Sequence, residues 1–189
     1  MKPAIKVLGV PDDINSSFMR GSSAAPPLIR EALYSASSNL FSESGLNLDQ
    51  KGIWEDLGDI EFAGQVAVEN FKKIKTFVKD VLVSDQKLVS LGGDHSVSWP
   101  ILDAHLDIWD ALDILHIDAH PDLYDSLLDN KLSHASPFAR IMETGRASRL
   151  VQVGIRTLNK HQREQAEKFG VEIYPVSYTH LTLPTILPV

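Results

Sequence analysis

Two short segments of this sequence carry side chains of the types that hold divalent cations. Asp118, His120 and Asp122 alternate along Asp118-Ala119-His120-Pro121-Asp122, so in an extended chain all three would project to one side. Two carboxylates and an imidazole form a hard-to-borderline ligand set, which suits Mn²⁺ first and Zn²⁺ or Ni²⁺ second. The plainer alternative is a solvated turn with a local Asp–His hydrogen bond. His95 follows Gly92-Gly93, residues that permit close backbone approach or positive φ. Alone it would read as a turn histidine; a second cluster of the same kind favours a shared cation.

The elements that must position these residues follow from hydropathy patterning. Residues 4–10, 87–91, 114–117, 150–155 and 171–176 read as short strands, with a further candidate at 52–54. Between them, Pro26-Pro27 can open a helix whose face carries Leu28, Ile29, Ala32, Leu33 and Ala36. Residues 62–82 form the clearest helical pattern, with Ala67, Phe71, Ile74, Val78 and Val81 on one stripe and most lysines away from it. Helices are also expected at 96–106, where Pro100 fits only near the start, at 136–143, and at 159–169 with Gly170 as the stop. Strands alternating with helices predict an α/β fold built on a mainly parallel sheet with helices on both faces. Ligands gather at the carboxyl ends of such strands, where His95 and Asp118 to Asp122 both fall. Neighbouring parallel strands lie ~4.8 Å apart, so the two clusters could reach one cation.

Composition narrows the function classes. The chain has 189 residues, 43% hydrophobic and 23% charged, which suits one α/β domain and excludes wholesale disorder. A net charge of −7 without a Lys/Arg cluster argues against nucleic-acid binding. With no cysteines, any metal must take oxygen and imidazole ligands. No apolar run approaches the ~20 residues of a membrane span. The first residues carry no secretion-signal pattern, so a cytoplasmic enzyme is expected, with an organelle-targeting segment ahead of Met1 as the alternative.

Several segments, in order, resemble the ureohydrolases, the arginase and agmatinase family of manganese enzymes, and agmatinases in particular. They are Gly9-Val10-Pro11-Asp12 with Arg20-Gly21 and Ile29-Arg30; Asp56-Leu57-Gly58-Asp59; Gly92-Gly93-Asp94-His95-Ser96; Asp118 to Asp122; Ser133-His134 with Pro137-Phe138; and Val153-Gly154-Ile155-Arg156. The resemblance spans residues 4–176 and implies a three-layer fold of the arginase/deacetylase type. It implies two Mn²⁺ per site, with His95 and Asp122 on the first, His120 on the second and Asp118 bridging. His134 would bind substrate or transfer a proton, although Ala135 stands where the family has glycine. The implied reaction is hydrolysis of a guanidino C–N bond, releasing urea and an amine in polyamine metabolism. Agmatine is the favoured substrate, with arginine, guanidinobutyrate or formiminoglutamate as alternatives and a non-catalytic fragment as the rival reading. Such enzymes take a small guanidino substrate as partner and form homo-oligomers. A guanidinium carbon is a poor electrophile and neutral water a poor nucleophile, which is why paired cations suit the task.

Other residues are expected to play supporting parts. His116, inside a strand, reads as packed core or as a partner of a ligand rather than a ligand itself. Asp94 orients His95 or serves the turn, while His105, His161 and His180 read as surface residues and Trp54, Trp99 and Trp109 as packing. The resemblance also implies two further aspartate ligands and a substrate-binding glutamate in later segments, yet no Asp or Glu follows Val176. Residues 1–176 are therefore expected to be the N-terminal part of one domain. Residues 177–189, with Pro184 and Pro188 and no Asp, Glu, Lys or Arg, are expected to lie outside its core. Without the strands that the resemblance implies after residue 176, an apolar edge or face is expected to stay uncovered, and the chain alone is expected to be inactive.

Overall fold

A computed structural model of the chain describes residues 5–64 and 66–179. Six strands and six helices follow one another as β1 (Ile5–Val10), α1 (Ala25–Leu33), β2 (Trp54–Asp59), α2 (Ala67–Leu82), β3 (Lys87–Gly92), α3 (Ser98–Leu106), β4 (Leu112–Ile117), α4 (Pro137–Glu143), β5 (Ala147–Ile155), α5 (Lys160–Phe169), β6 (Glu172–Pro175) and α6 (Val176–Thr179) among the described residues. A single turn of 3-10 helix, His95–Val97, separates β3 from α3. All strand pairs are parallel, as the alternation of strands and helices predicts.

The strands divide into two three-stranded sheets, ordered β2-β1-β3 and β4-β5-β6. The first sheet carries helices on both faces. Leu8, Val10 and Leu88 pack with Phe71, Ile74 and Val78 of α2, while Ile29 and Leu33 of α1 line an apolar hollow with Ile5 and Val7 on the other side. The second sheet buries Ile114 and Leu150 against Phe138, Ile141 and Ala166 from α4 and α5. Its opposite face is open, with Leu115 and Ile117 65% and 74% exposed. Val89 is exposed as well, and no ladder joins β3 to β4 among the described residues. Exposed apolar side chains thus mark one face of β4 and one position of β3. Trp99 packs against both core clusters and helps join the halves.

Local chemistry explains most boundaries. Pro100 is the third residue of α3, within the first turn, where a missing N–H breaks no helical bond. Asn159 caps α5 by accepting from the Gln162 N–H at 2.9 Å, and Gly170 ends it in the left-handed conformation at φ 66°. The α2 stripe falls as predicted at Phe71, Ile74 and Val78, but the helix starts only at Ala67, Leu82 rather than Val81 is buried, and Asn70 is buried too, because its amide donates to Asp12 at 3.2 Å. Two expectations need correction. The strand candidate at 52–54 begins only at Trp54 and runs on to Asp59, because its parallel ladder with β1 spans those residues, with Arg30 of α1 pairing its Asp56 and Asp59. The apolar face of α1 is only partly used, leaving Leu28 exposed. Of the off-pattern stretch 177–189, residues 177–179 belong to α6, and 180–189, including His180, lie outside the described residues.

Candidate metal centre

The carboxyl ends of β3 and β4 bring the two sequence clusters together. His95 opens the turn after β3, and Asp118 to Asp122 form the loop leaving β4. His95 Nδ1 lies 2.6 Å from Asp122 Oδ2 and 3.5 Å from Asp118 Oδ2. Asp118 offers its other oxygen to His120, with Oδ1 3.4 Å from His120 Nδ1. His95, Asp118 and Asp122 therefore converge directly, whereas His120, with its side chain 59% exposed, joins only through Asp118. All four line one open cleft of about 770 Å³ together with His134, Tyr124, Arg156 and Asn159.

The backbone around these groups is tightly pinned. At Gly93 the reason is close approach rather than positive φ: a Cβ there would sit 2.1 Å from the Asp12 carbonyl oxygen. The Gly93 N–H donates to Val10 and the Asp94 N–H to Asp12, each at 2.9 Å, which docks the His95 turn on the end of β1. Asp94 serves this turn: its carboxylate accepts from the Ser96 N–H at 2.8 Å and from Ser16 Oγ at 3.0 Å. In the β4 loop, the Asp118 N–H continues the ladder to Val153, and the Ala119 carbonyl accepts from the N–H groups of Arg156 and Thr157. The loop does not stay extended. Asp122 adopts φ 47°, a left-handed conformation that aspartate tolerates better than most residues. That twist, with Asp122 accepting through its backbone carbonyl from Phe138, aims its largely buried carboxylate at His95.

Electrostatics follow from these contacts. Burial disfavours a charged His95, but the hydrogen bond and charge of Asp122, with the charges of Asp118 and Asp94, outweigh it and raise its pKa. Burial also works against an ionised Asp118. The His120 N–H, donating to it at 2.9 Å, and the nearby imidazoles prevail and hold its pKa below the usual value. His116 is pushed down to about 4, first by burial and then by a charged His95.

The donor set fits divalent cations. It offers oxygen and nitrogen only, with negative charge gathered on two carboxylates. Donor atoms spaced 2.6–3.5 Å apart suit a common ion held by bonds of ~2.0–2.2 Å. One oxygen of Asp118 faces each of two imidazoles, so this carboxylate could serve two ions.

His134 sits across the cleft on the loop before α4. Its Nδ1 lies 3.2 Å from the Asn15 carbonyl, and its N–H donates to the same oxygen at 3.4 Å. Ala135 is buried and its backbone is not in the left-handed region, so its Cβ is accommodated without strain. Two residues went unremarked in the sequence. Asn15 ties three segments together by donating to Ser96 Oγ, accepting from Asn130 and receiving His134, and nothing in its spacing announces this. Gln152 is fully buried behind the β4 loop. His116 lies nearer the centre than a packed core residue need be: donor atoms of His95, His116 and Asp118 all fall within 4.8 Å of one another. The two-residue step from His116 to Asp118 on one strand face was the available signal. His105 and His161 are half-buried rather than surface residues, since His105 Nδ1 donates to the Ile101 carbonyl and His161 stacks on Tyr124.

Comparison with known proteins gives the chain its relatives. The chain is 44% identical over 180 residues to "Arginase 2, chloroplastic/mitochondrial" of Arabidopsis thaliana, covering 92% of this chain and 52% of that protein. It is 35% identical over 179 residues to the N(1)-aminopropylagmatine ureohydrolase of Thermus thermophilus, covering 93% and 59%. The solved arginase of Medicago truncatula superposes with a TM-score of 0.84 at 43% identity, covering 92% of this chain and 57% of that one. The chain thus spans about half the length of the curated relatives it matches. Residues 3–183 match the family described as the Arginase family, a stretch that takes in every strand from β1 to β6, His95 and the Asp118 to Asp122 loop, and the chain belongs to that family.

Proposed function

We propose that this chain carries the His95 side of a two-manganese ureohydrolase centre for hydrolysis of a guanidino C–N bond. The observation that carries the reading is Asp118, whose two oxygens face His95 and His120 at 3.5 and 3.4 Å. His95 and Asp122 would hold the first Mn²⁺, His120 the second, and Asp118 both. Bound cations supply positive charge that acidifies water and offsets charge developing on the attacked group. His134 handles the proton. Because a carbonyl only accepts, its Nδ1 must carry the hydrogen facing Asn15, which leaves Nε2 as the atom able to take a proton from water and return it to the departing amine. Water and a guanidinium then become urea and an amine.

Two substrates are favoured by different observations. The ordered motifs favour agmatine, whereas the plant relatives at 44% identity are named arginases. Activity belongs to the complete centre, and this 189-residue chain on its own is expected to bind Mn²⁺ weakly without useful urea release. The second ion has only His120 and shared Asp118 here. Homo-oligomer formation and a cytoplasmic location remain expectations of the same reading; the names of the plant relatives place those proteins in mitochondria or chloroplasts. The test is calorimetric Mn²⁺ titration of the chain beside urea release from agmatine and arginine. Weak Mn²⁺ binding that Asp118→Ala abolishes is expected. Absence of any Mn²⁺ binding would refute the metal centre, and two tightly bound ions with steady turnover would refute the inactivity.

A further inference from the structure

His116 and Gln152 are partners across β4 and β5, and both are buried behind the metal-ligand loop. Gln152 Nε2 lies 2.6 Å from the Pro121 carbonyl oxygen and 3.1 Å from His116 Nδ1. The first contact orients the amide, because flipping it would set two carbonyl oxygens against each other. The amide nitrogen has a second hydrogen, and His116 Nδ1 must be bare to accept it. That requirement excludes the doubly protonated ring and the Nδ1–H tautomer alike. The single proton of His116 therefore sits on Nε2. This nitrogen is buried with no closer partner than Asp118 Oδ2, 3.5 Å away. The ring cannot easily turn away, since it stacks on Phe138 with centroids 4.0 Å apart and planes at 28°.

Proximity alone would make His116 a metal ligand with His95 and Asp118. Ligation needs a lone pair on the nitrogen that faces the ion, and here that nitrogen carries a hydrogen. We propose that Gln152 and His116 form a positioning pair for Asp118. Gln152 sets the tautomer, and the His116 Nε2–H holds the Asp118 carboxylate from behind without entering the coordination sphere. The same Gln152 amide clamps Pro121, between His120 and Asp122, so one side chain governs both the loop backbone and the carboxylate's orientation. The proposal rests on the reading of Asp118 as the shared metal ligand.

Long-range ¹H–¹⁵N NMR of the histidine-labelled, metal-free chain reads the tautomer directly, with His116→Phe assigning the signal. The Nε2–H form is expected for His116, and the Nδ1–H form would overturn the proposal. With Cd²⁺ as a diamagnetic probe, scalar coupling should reach His95 and not His116; coupling to His116 would make it a ligand and overturn the positioning role. Gln152→Leu and His116→Phe should each weaken Mn²⁺ binding about 10–100-fold, the range for groups that orient metal ligands. His116→Gln, which restores an N–H donor, should recover part of the loss. Should His116→Phe fail to fold, Gln152→Leu carries the same comparison. Unchanged affinity in a folded Gln152→Leu chain would refute the role. If no metal binds at all, the metal-centre reading fails and the positioning role with it, while the metal-free spectrum still decides the Gln152–His116 tautomer.

Discussion

Replacing Gly93 with alanine tests whether the His95 turn is docked as tightly as the backbone contacts imply. The added Cβ would lie 2.1 Å from the Asp12 carbonyl oxygen, 2.7 Å from its carbon and 2.8 Å from its nitrogen. All three are backbone atoms, so no side-chain rotation relieves the clash. Relief requires moving the end of β1 or the turn itself, which strains the Asp94 N–H to Asp12 and Gly93 N–H to Val10 bonds, both 2.9 Å. Overpacking of this kind costs about 3 kcal/mol, the upper part of its usual range. For a chain of this size that corresponds to a fall in Tm of roughly 6–12 °C. Thermal unfolding with a chelator present keeps metal linkage out of the measurement. Gly92→Ala is the control: its Cβ would meet only Val97 Cγ2 at 3.3 Å, a side-chain atom that can give way. Gly93→Ala should also weaken Mn²⁺ binding, since His95 rides on the displaced turn. A Gly93→Ala chain melting within about 2 °C of its parent, on the same scale, would refute this reasoning.

Two further perturbations probe the centre. Asp122→Asn should fold normally, because asparagine also tolerates the φ of 47°, yet lose Mn²⁺ affinity by at least about 10-fold through the lost charge; intact affinity by calorimetry would remove Asp122 from the ligand set. The buried His116 predicts acid sensitivity: its folded pKa of about 4 lies below the unfolded value near ~6.5, so the unfolded chain binds more protons between them. The resulting stability is fully present above pH ~6.5 and lost as pH falls toward ~4, by about 3 kcal/mol in total. Urea unfolding of the parent and His116→Phe at pH 7 and near pH 4.5 should show the parent losing more; equal losses would mean that His116 is not a buried neutral group.

Much of this protein is legible in its sequence. Strand and helix periods are local properties of the chain, and they place β1, β3, β4, β5, β6 and α3 to α5 within a few residues, and α2 apart from its start, with Asn159 and Gly170 marking the ends of α5. The parallel arrangement follows from the alternation of those elements, and the rule that ligands collect at carboxyl strand ends brought His95 and Asp118 to one place. Long-range geometry was not legible. That the strands form two sheets, that one apolar face of β4 stays open, and that Arg30 of α1 pairs with the carboxylates of β2 depend on residues far apart in sequence. The sharpest example is behind the ligand loop. Asp-x-His-x-Asp announces its three side chains, but nothing in the spacing of His116 and Gln152, 36 residues apart, says that they face each other. Only the register of β4 against β5 puts that amide between Pro121 and the imidazole, and only there does the hydrogen-bond geometry decide which nitrogen of His116 carries the proton.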